Sequence, residues 1–91
     1  MHEVEVTIKN SQGLHARPAK VFVENANKFE SEIEVFHKDA IANGKSIMSL
    51  LGLLAFKGCT LKITAVGEDA AEAVSVLAEL INNKFNLEEN N

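Results

Sequence analysis

The sequence predicts a small α+β domain, one sheet with helices on a single side, and three observations carry the prediction. The chain has 91 residues, too few for more than one modest core. Hydrophobic residues make up 46% and charged residues 24%, the balance of a chain that folds. Apolar spacing then alternates between period two and helical period in the order β-α-β-β-α-β-α, which leaves no helix for a second face of the sheet.

Residues 4–8 (V-E-V-T-I) turn Val4, Val6 and Ile8 to one side, as a half-buried strand does. Asn10, Ser11, Gln12 and Gly13 form a turn cluster, after which Ala16, Ala19, Phe22, Val23 and Ala26 recur at helical spacing. Residues 31–36 alternate through Ile33 and Val35, and Lys38-Asp39 predicts a hairpin into a third strand at 40–42. Ser46 stands where an N-cap belongs, ahead of a second helix expected over 47–56 and ended by Lys57-Gly58. Gly52 inside that helix should cost about 1 kcal/mol relative to Ala. Residues 60–66 make the fourth strand through Leu61, Ile63 and Ala65. Asp69 and Glu72 have capping-box spacing before a third helix whose stripe is Ala70, Ala73, Val74, Leu77, Ile81 and Phe85, and residues 86–91 are expected to fray. The whole chain, 1–91, is read as one domain without linker or repeat.

Thirteen acidic against nine basic residues give a formal charge of -4, the wrong sign for a phosphate-backbone binder. The absence of Trp and Tyr also argues against stacking on single-stranded bases, so a small RNA- or ligand-binding fold of similar element order ranks last. The lone Cys59 closes no internal disulfide, and three histidines offer no metal-ligand spacing. Residues 1–6 lack the pattern of a signal peptide and residues 47–56 are too few to cross a bilayer. A cytoplasmic protein without cofactor or membrane insertion is expected. His2 and His37 lie near a terminus and a hairpin and are expected at the surface, while Cys59 suits a small buried or turn position.

Residues 13–19 read G-L-H-A-R-P-A, and Arg17 and Pro18 are the only arginine and proline in the chain. Pro18 suits the first turn of a helix, where its missing N–H has no intrahelical partner to lose. The amides of Ala16 and Arg17 should then face outward at the positive end of the helix dipole. His15, at or beside the N-cap, is placed in that field with a guanidinium suited to phosphate oxygens nearby. Both positive neighbours disfavour imidazolium, which leaves a ring lone pair free to attack phosphorus. There is no P-loop and no second catalytic side chain close in sequence, so a carrier is implied rather than a hydrolase. On composition and spacing alone, a histidine at a helix start is more often an ordinary cap or surface residue.

At G-L-H-A-R-P-A, and again at K-S-I-M over 45–48, the chain closely resembles the HPr family, the histidine-containing phosphocarriers of the bacterial phosphotransferase system. The spacing of the two motifs and the Lys57-Gly58 turn match that family over residues 4–85. The resemblance implies an open-faced β-sandwich, βαββαβα, with a four-stranded antiparallel sheet in the order 1-4-2-3 and three helices on one face. It implies that His15 takes a phosphoryl group on Nδ1 from phosphorylated Enzyme I, ultimately from phosphoenolpyruvate, and passes it to EIIA proteins for sugar uptake. Arg17 matches the arginine that neutralises the phosphate. The protein would be a stoichiometric, monomeric carrier rather than an enzyme. Ser46 matches the serine phosphorylated by HPr kinase/phosphorylase in lineages that have it, with a catabolite-control regulator as a further partner.

Ser46 is otherwise a plain N-cap, and a phosphate there would sit at the positive end of the second helix. That helix carries more apolar residues than one small sheet can bury, so Ile47, Met48 and Leu51, with Lys20, are the expected partner-binding residues, while some of Leu50, Leu53 and Leu54 belong to the core. Gln12, Lys20, Ser49, Leu51 and Gly52 depart from the usual family pattern. The alternative function is a chiefly regulatory or nitrogen-branch carrier that controls partner proteins rather than sugar transport.

Overall fold

The computed structural model describes residues 1–87. Its elements run β1 (His2–Thr7), α1 (Ala16–Ala26), β2 (Glu32–His37), β3 (Ala40–Asn43), α2 (Ile47–Leu51), β4 (Thr60–Val66) and α3 (Ala70–Asn82). The strands form one antiparallel sheet in the order β1-β4-β2-β3. β4 lies between β1 and β2, with Val4 opposite Ile63 and Ile63 opposite Val35, so the inward residues of three strands share one row. Alternation has selected the face: Val6, Ile33, Val35, Leu61, Ile63 and Ala65 are buried beneath the helices. Phe22 and Ala26 of α1 and Leu77 and Ile81 of α3 close over them.

The other face carries Glu3, Glu5, Glu32, Glu34 and Lys62, with Phe36 and Ile41 among them, as the pairings Glu5 with Lys62 and Phe36 with both Lys62 and Ile41 require. The Lys62 ammonium sits 4.8 Å from the centre of the Phe36 ring. No helix of the described residues covers this face. In the β2–β3 hairpin Lys38 takes φ 55°, the left-handed backbone that the first turn position of a primed two-residue hairpin requires.

Several sequence expectations need correction. The second helix ends at Leu51 rather than at Phe56: Gly52 is its C-cap, and the amides of Leu53 and Leu54 bond three residues back, to Leu50 and Leu51. Gly52 is therefore not in a helix interior, and the interior penalty does not apply to it. The Asp69–Glu72 capping box does not form, because Asp69 makes no cap bond and its carboxylate turns to the chain entering β2. Phe85 lies beyond α3, in a left-handed turn over Lys84–Asn86, yet is wholly buried and completes the helix stripe from outside the helix. Asn86 and Leu87 do not fray, their amides bonding the Asn83 carbonyl at 3.0 Å and the Lys84 carbonyl at 3.2 Å, whereas residues 88–91 of the expected tail lie outside the described residues.

Candidate functional site

The loop from β1 to α1 is fixed by backbone contacts before it reaches His15. Beyond β1, the Ile8 amide donates to the Cys59 carbonyl and the Gly58 amide to the Ile8 carbonyl, both at 2.9 Å. The buried Asn10 folds the loop back by donating from Nδ2 to the Gly13 carbonyl at 2.7 Å, and the Leu14 amide donates to the Ala55 carbonyl at 2.9 Å. Gly13 makes this approach feasible: its φ is 71°, and a Cβ there would stand 2.7 Å from both the Ala55 oxygen and the Phe56 Cα. The stretch 8–14 is therefore seated on the stretch 55–59, and this seat sets the position of His15.

His15 is the N-cap of α1, in extended backbone with its side chain exposed and making no capping bond. The first intrahelical bond runs from the Ala19 amide to the His15 carbonyl at 2.9 Å, so the amides of Ala16 and Arg17 lie ahead of the ladder. The first turn contains no acidic residue to offset the positive helix end, and Arg17 and Lys20 are exposed on the same helix. Pro18 is buried in that turn.

His15 also lines a shallow groove of about 300 Å³ with Gln12, Leu14, Leu51, Leu54 and Phe56. One wall of the groove is the chain after α2, which is held on both sides of Leu54. The His37 Nδ1 donates to the Leu53 carbonyl at 3.1 Å, and Ala55 is bonded to Leu14. Leu53 and Ala55 point into the core and Leu54 turns outward with φ 52°. A left-handed backbone costs an ordinary side chain roughly 1–2 kcal/mol. His37, expected at the surface, is half-buried for this reason. Cys59 closes the Lys57-Gly58 turn: its amide bonds the Phe56 carbonyl at 3.0 Å, with Gly58 at φ 93° as that turn position demands.

Residues 2–83 match the family model PTS-HPr, described as the PTS HPr component phosphorylation site. This chain belongs to the HPr family. It is 42% identical over 85 residues to the phosphocarrier protein HPr of Neisseria meningitidis serogroup A, covering 93% of this chain and 96% of that one. A multiphosphoryl transfer protein of Salmonella typhimurium is 40% identical over 80 residues, which is 85% of this chain and 21% of that longer protein. The fold superposes on a crystal structure of HPr from Thermoanaerobacter tengcongensis with a TM-score of 0.92 at 45% identity, over 98% of this chain and 100% of that one. The chain is thus a phosphocarrier of the phosphotransferase-system family, built on the HPr open-faced sandwich.

Within that HPr fold the expected site residues divide into two places. His15, Ala16 and Leu51 meet at the groove, with Arg17 and Lys20 farther along α1. Ser46 does not line the groove; it caps α2, where its Oγ accepts from the Ser49 amide at 3.1 Å and its own amide donates to the Asn43 carbonyl at 3.1 Å. Ile47 is half-buried and Met48 exposed. Leu54 and Phe56, which line the groove, were hidden by the expectation of a helix through Phe56; the sole sign available was Gly52, a natural place for that helix to stop.

Proposed function

We propose that this chain is a cytoplasmic, monomeric carrier that accepts a phosphoryl group on His15 Nδ1 from phosphorylated Enzyme I and delivers it to EIIA proteins. The observation that carries the proposal is an exposed, uncapped histidine at the start of an 11-residue helix whose first turn has no acid. With the ring proton on Nε2, the Nδ1 lone pair attacks phosphorus in line, and the bond from phosphorus to the donor breaks with its electron pair returning to the donor. The Ala16 and Arg17 amides and the Arg17 guanidinium are the donors available to the phosphoryl oxygens. Each charge-assisted bond of this kind is worth about 1.5–3 kcal/mol. Delivery to the acceptor reverses the step, a nucleophile on EIIA taking phosphorus from Nδ1. Ile47, Met48, Leu51 and Lys20 are assigned to partner binding.

Ser46 is proposed as a regulatory acceptor for HPr kinase/phosphorylase, acting through a catabolite-control partner. Its placement at the head of α2 supports this, since phosphate is tolerated where a helix begins. One labelling experiment tests both assignments. Phosphoenolpyruvate with Enzyme I should give the parent an acid-labile phosphoryl group that His15→Ala lacks, and ATP with the kinase should give an acid-stable one that Ser46→Ala lacks. Label persisting in either variant removes that residue from its role.

A further inference from the structure

We infer that the uncovered face of the sheet is a second docking surface, which takes a lysine- and arginine-rich amphipathic helix of a partner protein on the side of the molecule away from His15. Such docking holds whichever residue carries the phosphoryl group.

Thr64 is the centre of that surface. It lies on β4 directly opposite Glu3 of β1 and Glu34 of β2, and its side chain shares their face because Leu61, Ile63 and Ala65 take the other. Glu5 and Glu32 stand one diagonal step away, beside Lys62 and Val66. Strand spacing then gives each of the four carboxylates another within about 10 Å, a distance at which like charges still repel in ordinary salt. All four are exposed and, among the described residues, none is ion-paired; the Lys62 ammonium lies over the Phe36 ring instead. Thr64 is only 6% exposed, yet its hydroxyl makes no hydrogen bond among the described residues. The face offers acceptors in excess and lacks donors.

Charge and shape name the occupant. A second copy of this chain, a nucleic acid or an anionic membrane would each bring negative charge to negative charge. The carboxylates are too dispersed for one metal ion, since among the described residues no three acidic, histidine or cysteine side chains gather as ligands. Lysines and arginines spaced over a protein surface supply a donor to each. Ile41, 59% exposed, and Val66, 53% exposed, border the acids together with the half-buried Phe36, and this apolar margin matches an apolar edge on the same partner. An amphipathic helix carries both a basic stripe and an apolar one, and a bare sheet face is what helices cover in this fold class. His15 heads α1 in the helix layer, so the occupant leaves it open.

The test uses the full chain and, as the probe, a synthetic amphipathic helix of leucine and lysine of about 18 residues, with binding read by calorimetry and amide chemical shifts. Glu3→Gln with Glu34→Gln should weaken the peptide about fivefold, whereas Glu24→Gln with Glu72→Gln, an equal change of charge on α1 and α3, should leave it within about twofold. Thr64→Val, which keeps the branched shape, should weaken it about threefold. The Glu3 and Glu34 pair of changes is expected to melt at or above the parent, because unneutralised like charges oppose folding. Shifts should follow residues 3–5, 32–36 and 62–66 and spare 15–17, and saturating peptide should leave labelling by Enzyme I within about twofold. Equal weakening by both pairs of changes overturns the inference, since net charge alone then accounts for binding. Shifts centred on 15–17, or peptide that blocks labelling, overturn it by placing the basic helix on the histidine side. Calcium chloride that moves the same amides at millimolar concentration would assign the face to a cation instead, and faster sedimentation of the parent alone would assign it to a second copy. A melt of the Glu3 and Glu34 variant well below the parent would show that these carboxylates serve the fold, and overturns the inference as well.

Discussion

The Asp69 carboxylate accepts from the Glu30 amide at 2.8 Å, from the Ser31 amide at 3.0 Å and from the Ser31 hydroxyl. The Ser31 hydroxyl bond is the largest of the influences that hold this carboxyl below the usual carboxylate range, followed by the Glu30 amide. A lowered folded value means that the contribution to stability is complete above the unfolded value near 4 and is lost as pH falls through the folded one. Asp69→Asn should therefore melt below the parent at pH 5–8, and the gap should close as pH drops beneath about 4; a gap independent of pH would exclude the carboxylate as its source. The spacing of Asp69 and Glu72 suggested a local cap, but the donors that captured the carboxylate lie 38 and 39 residues upstream. A local pattern carries no information about such a partner. Gly67 completes the arrangement, since a Cβ there would stand 2.5 Å from the Ser31 Oγ.

At the scale of elements, the loop before α1 and the segment after α2 act as a matched pair, and Gly13 is where they meet. Gly13→Ala sets a methyl group against the backbone of Ala55 and Phe56 while requiring φ 71° of an alanine. The expected cost is roughly 1–3 kcal/mol, read by urea unfolding, with slower labelling of His15 as the loop lifts. Unfolding at the parent midpoint would show that the approach is not tight. β4 was legible to the residue, because alternation from Thr60 to Ala65 and the stop at Gly67 admit one reading. The start of α1 was equally plain, since His15, Arg17 and Pro18 mark it chemically. The end of α2 was not. A run rich in leucine satisfies helical spacing and buried irregular chain alike, and what stops the helix is the tertiary demand that Leu53 and Ala55 enter the core while Ala55 serves Leu14. For the same reason the position of His15 at the head of α1 was legible in the sequence, while Leu54 and Phe56 in the groove beside it were not.

Among the described residues, a single layer of helices covers one face of four strands and none covers the opposite face. Periodicity alone predicted that one-sided arrangement, whereas the order 1-4-2-3 came from the family resemblance, because spacing within strands does not say which strands pair. Of the five charged side chains on the uncovered face four are glutamates, while the acid-free start of α1 belongs to the helix layer. Such a lopsided molecule has an electrical front and back. In the field of a phosphorylated donor such a molecule should turn before contact, the glutamate side repelled and the histidine side drawn in, so that a larger share of collisions would arrive already aimed. Added salt should blunt this aiming, lowering the association rate with the phosphorylated donor while leaving dissociation nearly unchanged, as stopped-flow mixing at rising ionic strength would register.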